Sequence, residues 1–322
     1  MSGPVPHRTL AGLGEDALLA RILPHLPGGP GVLLGPGDDT ALVAAPGGSV
    51  LATTDALVRQ RDWRDDWSTG ADVGAKAVAQ NCADIAAMGG VPTGLLVTLV
   101  AEPATSLAWV EDFARGLGEA ARAAGVPVVG GDLSSAPEGT LVVSVTALGD
   151  LAGRSPVLRS GARVGDVVAL AGSLGRSAAG LLLLQRSQAG RAPCLVDYHR
   201  RPTPDLAAGP AAAVAGATAM LDVSDGLVRD ARRIARASGV AIDLDAALME
   251  QDVAALAGAV GPEDARRCVL SGGEEHALLA SFPAGTALPV GWRPLGTVVP
   301  GAGVLVDGAP QEPGGGWDHF GG

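Results

Sequence analysis

Five short segments place aspartate among apolar residues or glycines: Gly37-Asp38-Asp39, Thr53-Thr54-Asp55, Cys82-Ala83-Asp84-Ile85-Ala86, Gly130-Gly131-Asp132 and Leu221-Asp222-Val223-Ser224-Asp225-Gly226. Four of the five follow or end an apolar run that reads as a strand, and strand ends are where open α/β sheets build their sites. Asp84 instead lies within an apolar helical stretch, and a buried carboxylate is costly unless it is paired or bound to metal. Taken singly, each segment has an ordinary reading. Gly-Asp-Asp and Asp-Gly are common turn chemistry, and Ser224 or Asp225 is suited to cap a helix beginning at Leu227, worth about 1 kcal/mol. Taken together they ask for more. Two uncompensated carboxylates ~4 Å apart repel by roughly 4 kcal/mol at an effective dielectric constant of about 20, so a convergent set needs cations. Oxygen ligation by aspartates, with threonine hydroxyls nearby, suits Mg²⁺ holding substrate phosphates. That chemistry is phosphoryl transfer in which metal and positioning supply most of the catalysis.

Other motifs narrow the choice by their absence. No G-x-x-x-x-G-K-[ST] phosphate loop, H-E-x-x-H or G-x-S-x-G occurs. The five histidines show no ligand spacing, and the three cysteines, Cys82, Cys194 and Cys268, form no C-x-x-C pair and no disulfide framework. Scattered thiols point to a reducing cytoplasm. Gly35-Pro36-Gly37-Asp38-Asp39-Thr40 mimics a dinucleotide loop, but it leads into a strand and carries two carboxylates where a pyrophosphate would sit, so that reading is rejected. The only lysine, Lys76, shares a helix face with Gln80 and Asp84 at i, i+4 and i+8, ~12 Å from Asp84 along the axis. It is either a solvated surface lysine or a phosphate-facing one. Arg159 carries a guanidinium suited to phosphate.

The 322 residues carry a net charge of −11, which disfavours nucleic acid as a partner and leaves a divalent metal to meet anionic substrates. With 47% hydrophobic and 18% charged residues the chain has a real core to bury. Met1–Leu10 shows no basic flank followed by an apolar run, and no stretch reaches membrane-spanning length, so neither a signal peptide nor a membrane is expected.

The elements that must position these residues alternate irregularly. Helices are expected over Leu10–His25, Asp72–Met88, Ser106–Ala124, Ala178–Gln185 and Leu227–Ser238. Strands are expected at Val32–Leu34, Ala41–Ala45, Val50–Thr53, Gly94–Val100, Val126–Val129, Leu141–Leu148, Val167–Ala171, Ala219–Val223, Cys268–Leu270 and His276–Phe282. Gly130-Gly131-Asp132 reads as the break after one of them. The apolar runs pause around Gly149–Ser160, which sets two domains at 1–151 and 152–322. Both mix strands with helices without strict βαβ alternation, giving two mixed α/β (α+β) domains.

At this point the chain resembles the thiamine-monophosphate kinases. Gly37-Asp38-Asp39, Thr53-Thr54-Asp55-Ala56-Leu57-Val58, Asn81 to Gly89, Gly130-Gly131-Asp132, Arg159-Ser160-Gly161, Asp222 to Leu227, Ser271-Gly272-Gly273-Glu274 and Trp317-Asp318-His319-Phe320-Gly321 come in that family's order. The N-terminal segments alone fit the wider superfamily of aminoimidazole-ribotide synthetase-like ATP-dependent enzymes. The resemblance implies two α/β domains, the N-terminal sheet pairing with its copy in a homodimer. It implies transfer of the ATP γ-phosphoryl group to thiamine monophosphate, giving thiamine diphosphate. Carried over by motif, Asp39, Thr53, Thr54, Asp55, Asp84, Asp132, Asp222 and Asp225 are Mg²⁺ ligands, with Asp55, Asp222 and Asp225 at the catalytic centre. Gly131, Asp132, Arg159 and Ser224 bind ATP. Glu274 and Trp317 touch the thiamine moiety, and an indole facing a cationic thiazolium makes a cation–π contact.

Three positions depart from the family pattern. The segment after Val58 reads Arg59-Gln60-Arg61-Asp62-Trp63, so Asp62 stands where the family has a substrate-contacting histidine. The preferred reading turns Asp62 toward a cation, with Arg59 or Arg61 taking the phosphate contact. Glu275 and Arg176 each replace an aspartate of the family, altering what reads as the acceptor side. Two other functions stay open: a related ATP-dependent enzyme with another acceptor, and a catalytically silent paralogue that binds nucleotide or thiamine phosphate.

Overall fold

The structure, a computed structural model, describes residues 9–10, 15–34 and 42–312. Asp38, Asp39 and Trp317 lie outside the described residues. The described residues form two compact units: one from those up to Cys82 with Pro92–Asp150, the other from Ala83–Val91 with those from Leu151 onward.

In the first unit the elements are α1 (Glu15–Ile22), β1 (Val32–Leu34), β2 (Leu42–Val43), β3 (Leu51–Val58), α2 (Gly70–Ala87), β4 (Val91–Ala101), α3 (Leu107–Ala124), β5 (Val128–Ser135) and β6 (Leu141–Asp150). The four longer strands form a sheet in the order β3-β6-β4-β5, with β3 antiparallel to β6 and β4 parallel to β5. Strand β6 alternates strictly between buried and half-buried residues, the period-two signature of a sheet with one covered face. Helices α2 and α3 meet at glycines. A Cβ on Gly74 would stand 2.5 Å from Phe113 O and 2.6 Å from Leu117 N, and one on Gly116 would overlap the Ala71 backbone. Only glycine permits that approach.

Gly130-Gly131-Asp132 does not break β5 but lies within it. A Cβ on Gly131 would overlap Val97 O across the β4–β5 ladder, so the glycine marks close backbone approach rather than a turn. The last turn of α2 belongs to the second unit, where Ala86 and Ala87 join its core.

The second unit continues with β7 (Val167–Ala171), α4 (Arg176–Gln185), α5 (Pro193–Arg200), α6 (Ala208–Val214), β8 (Ala219–Val223), α7 (Leu227–Ser238), β9 (Ala241–Leu244), α8 (Ala246–Val260), α9 (Pro262–Ser271), β10 (Ala277–Phe282), β11 (Trp292–Val299), β12 (Gly303–Val306) and β13 (Ala309–Pro310). Its mixed sheet runs β13-β12-β9-β11-β7-β10-β8. The expected strand Cys268–Leu270 is instead the end of α9. Cys268 and Val269 are the buried face of an amphipathic helix opened by Pro262, and a three-residue apolar run does not separate strand from helix. Met220, Phe282 and Trp292 sit in the core, with Phe282 edge-on to Trp292 at 5.3 Å.

Candidate functional site

In the first unit, β3 presents Thr53 and Asp55 to one face of the sheet and Thr54 to the other. The Thr54 hydroxyl donates to Val145 O at 3.0 Å and accepts from Thr146 Oγ1 at 3.1 Å. A metal served by Thr53 and Asp55 would reach Thr54 only through its backbone, because successive side chains of a strand point opposite ways. The Asp55 N–H donates to Asn81 Oδ1 at 3.1 Å, and buried Asn81 donates in turn to Ala77 O at 2.9 Å. Helix α2 thereby fixes the register of β3 at this residue. Asp132 is exposed in β5 and accepts from Ser134 Oγ at 2.7 Å.

Lys76 is only 3% exposed, which removes the surface-lysine reading. Gln80 and Asp84 follow it along the half-buried stripe of α2.

The loop after β3 is tied to itself. Asp62 Oδ2 accepts from the Val58 N–H at 2.8 Å, closing the turn, and Gln60 takes a positive φ of 68°. Arg59 pairs with Glu102 at 2.6 Å, and Glu102 also accepts from the Gly139 N–H. Arg59 is therefore paired within the scaffold, which leaves Arg61 as the other candidate for the expected phosphate contact. Trp63 stacks on Trp109, and Trp109 on Phe113, beneath this loop.

In the second unit, two loops far apart in sequence are stapled together. The Glu274 N–H donates to Ser224 O at 2.7 Å and the His276 N–H to Val223 O at 2.8 Å. The ladder continues as β8 against β10, with Asp222 opposite Leu278. Glu274 and His276 both hold left-handed backbone, at φ 57° and 55°. Strain of this kind in a non-glycine persists only where its surroundings enforce it and gathers at functional sites.

Asp222 is buried, and its Oδ2 lies 3.1 Å from His276 Nδ1. Burial works against the imidazolium, but the Asp222 hydrogen bond and the charges of Asp222, Glu274 and Asp84 outweigh it and raise the His276 pKa. Sequence reading missed His276. Its signal is adjacency to the Gly-Gly-Glu-Glu loop, not ligand spacing.

Neither Ser224 nor Asp225 caps α7, whose N-cap is Gly226 without a side-chain bond. Asp230, wholly buried one turn inside the helix, reaches back to accept from the Asp225 N–H at 2.9 Å and the Gly226 N–H at 3.0 Å. Burial pushes its carboxyl up to about 7, partly offset by Arg233. Arg233 bridges Asp230 and Asp225, and Arg229 Nε stands 3.9 Å from Asp225. Asp230 and Arg233 have the i, i+3 spacing of a helical ion pair. The side chain of Arg159 is exposed, and its carbonyl accepts from Ser238 Oγ at 3.2 Å.

Glu275 corrects the expectation of an altered acceptor side. It is 0% exposed, accepts from Ser173 Oγ at 2.7 Å and from the Ser177 N–H at 3.0 Å, and so belongs to the scaffold at the start of α4. Arg176 lies 4.1 Å over the Tyr198 ring. Burial pushes Glu275 up to about 7. The folded chain then binds a proton that the unfolded chain releases near the ordinary carboxylate pKa. Stability is therefore expected to fall by about 3 kcal/mol as pH rises from about 4.5 to 7, and to level off above. Glu275→Gln should remove this share of the slope in denaturant titrations run across this window and leave the share that Asp230 contributes. An unchanged slope would mean another group carries it.

Among the described residues no three of His, Cys, Asp and Glu stand ready as a metal cage. The donor chemistry nevertheless fits Mg²⁺, which keeps several waters and is held by one or two carboxylates plus substrate phosphates. Asp55, Asp132 and Asp222 have the donor type this requires. Asp225 fits least directly, since Arg233 already neutralises it.

Residues 37–151 match the family described as AIR synthase related protein, N-terminal domain, and residues 163–286 match its C-terminal domain. The chain is 49% identical over 317 residues to a thiamine-monophosphate kinase of Mycobacterium tuberculosis, covering 97% of this chain and 93% of that one. It is 36% identical over 276 residues to the thiamine-monophosphate kinase of Escherichia coli, covering 84% and 83%. Among solved structures, AaThiL complexed with AMPPCP and TMP is 32% identical with a TM-score of 0.78, over 96% of this chain and 97% of that one. The thiamine-monophosphate kinase of Stenotrophomonas maltophilia is 30% identical with a TM-score of 0.78, over 92% and 96%.

Proposed function

The chain belongs to the thiamine-monophosphate kinase family and phosphorylates thiamine monophosphate with ATP to give thiamine diphosphate, and we propose that it does so by direct transfer with Mg²⁺ held on its aspartates. The observation that supports the metal is the buried Asp222 carboxylate, held 3.1 Å from His276 Nδ1. The charges of Glu274 and Asp84 act on the same imidazole, so negative charge is concentrated there and calls for a cation. Bound there, Mg²⁺ would offset the charge of the transferring phosphoryl group.

The proposed ligands are Asp39, Thr53, Asp55, Asp84, Asp132, Asp222 and Asp225, with Thr54 acting through its backbone. Asp55 and Asp222 are the central ones. Gly131, Asp132, Arg159 and Ser224 are assigned to ATP, with residues 1–151 as the domain that carries most of the metal and nucleotide contacts. Glu274 and Trp317 are assigned to the thiamine moiety. Asp62, which closes the turn after β3, is assigned to the substrate side with Arg61.

A homodimer through the first unit's sheet is part of the same proposal. The open face of that sheet exposes Thr54, and Val58 and Leu96 are exposed large hydrophobics on its strands. Among the described residues no helix is long and apolar enough to cross a membrane. Cys82, Cys194 and Cys268 are free thiols, which supports a reducing cytoplasm.

Chromatography after incubation with ATP, Mg²⁺ and thiamine monophosphate tests the reading. Thiamine diphosphate and ADP should appear together and disappear with chelator. Product formation that survives chelation would remove the metal, and a fully active monomer by sedimentation would remove the dimer.

A further inference from the structure

Glu274 is the exposed end of an otherwise buried polar network. Its side chain is 35% exposed, while the groups behind it are sealed. His199, on α5 and buried, places Nδ1 3.3 Å from Glu274 Oε2 and 3.1 Å from Ser177 Oγ. Ser177 also donates its N–H to Glu275, and the Tyr198 hydroxyl donates to Glu275 O at 3.2 Å. The two neighbours of Nδ1 are oxygens, one of them anionic, so the ring proton belongs on Nδ1. The backbone of Glu274 is already held in left-handed conformation by its N–H bond to Ser224 O. What backbone geometry leaves undetermined is the rotamer of a three-torsion side chain, and His199 supplies that constraint.

We infer that His199 is a positioning residue that holds the Glu274 carboxylate in the orientation that recognises the acceptor, an inference that rests on the assignment of Glu274 to the thiamine moiety. A carboxylate fixed at one angle suits a ligand that joins a cationic heteroaromatic ring to an amino-bearing one. It accepts directional N–H bonds and faces the positive charge, and pre-ordering it removes the rotamer cost from the binding step. The alternative is that His199 only fills space between α4 and α5. That role predicts lost stability without selectivity between the two substrates.

The test is steady-state kinetics on the full chain. His199→Leu should raise KM for thiamine monophosphate roughly ten-fold, the size of one lost polar contact to a carboxylate, with KM for ATP and kcat within about two-fold. His199→Asn, whose amide nitrogen falls near Nδ1, should recover most of that loss, and His199→Gln, whose amide falls near Nε2, should not. Equal rises in both KM values, a lowered Tm alone, or no advantage of Asn over Gln would overturn the inference. If the leucine variant does not fold, Asn against Gln carries the same comparison. Glu274→Gln separates the two levels. If it leaves KM for thiamine monophosphate unchanged, the assignment of Glu274 fails and the inference with it. If it raises that KM while the His199 variants do not, only the inference fails.

Discussion

Asp222→Asn is expected to lower kcat by roughly a thousand-fold, about 4 kcal/mol of transition-state stabilisation, while leaving the circular dichroism spectrum unchanged. The asparagine keeps the volume of the buried side chain in β8. Its amide oxygen is still able to accept from His276 Nδ1, now 3.1 Å from Asp222 Oδ2, so packing and the local hydrogen bond survive. What disappears is one full negative charge at the position proposed to hold the metal. Asp55→Asn should act in the same direction, since the Asp55 N–H keeps its bond to Asn81 and only the side-chain charge changes. Turnover at saturating ATP, thiamine monophosphate and Mg²⁺ is the measurement. Near-normal rates in Asp222→Asn would take this residue out of the catalytic centre. A lost near-ultraviolet signal would instead assign it a folding role.

The largest expected effect on stability lies away from the chemistry, at Gly74→Val. The Gly74 Cα faces the α3 backbone so closely that a Cβ would stand 2.5 Å from Phe113 O. Neither helix backbone yields locally, so a valine must separate α2 from α3 and open the core around Phe113 and Leu117. A cost of about 4 kcal/mol or more is expected, enough to unfold many domains of this size. Gly258, inside α8 with no atom within 4 Å of its would-be Cβ, is the control. Gly258→Ala should be neutral or add roughly 0.5–1 kcal/mol through helix propensity. Chemical denaturation of both variants checks the pair. A fully stable Gly74→Val protein would show that the two helices do not pack as described.

The same helix shows how legible the fold was. Helical spacing over 72–88 and the breaker at Gly89-Gly90 locate α2 to within two residues of its observed Gly70–Ala87. The apolar run 94–100 falls inside β4, Val91–Ala101, because a continuous apolar segment bounded by proline and charge has few alternatives. Failures came where local signal was ambiguous. Gly130-Gly131 looks like a turn until a neighbouring strand is seen to need the missing side chain, and Cys268–Leu270 is too short to show its period.

The candidate site divides along similar lines. The aspartates were conspicuous because carboxylates in apolar or glycine surroundings carry a desolvation cost that some partner must offset. The residues that hold them were not conspicuous. His276 is one of five histidines without ligand spacing, and it matters because β10 lies beside β8. Asp230 belongs to none of the motifs, and its role comes from the backward path of the loop before α7.

From the sequence alone follow the donor chemistry, the family to which the motifs belong, and the positions of most long elements, since each depends on residue type and short-range spacing. Tertiary structure alone decided that Lys76 is buried, that Glu275 is scaffold rather than acceptor contact, and that His199 stands behind Glu274. Each of these is a matter of which distant segment lies against which face. Hydrogen bonding and desolvation act over a few ångströms, and one-dimensional spacing does not encode distances between residues tens of positions apart.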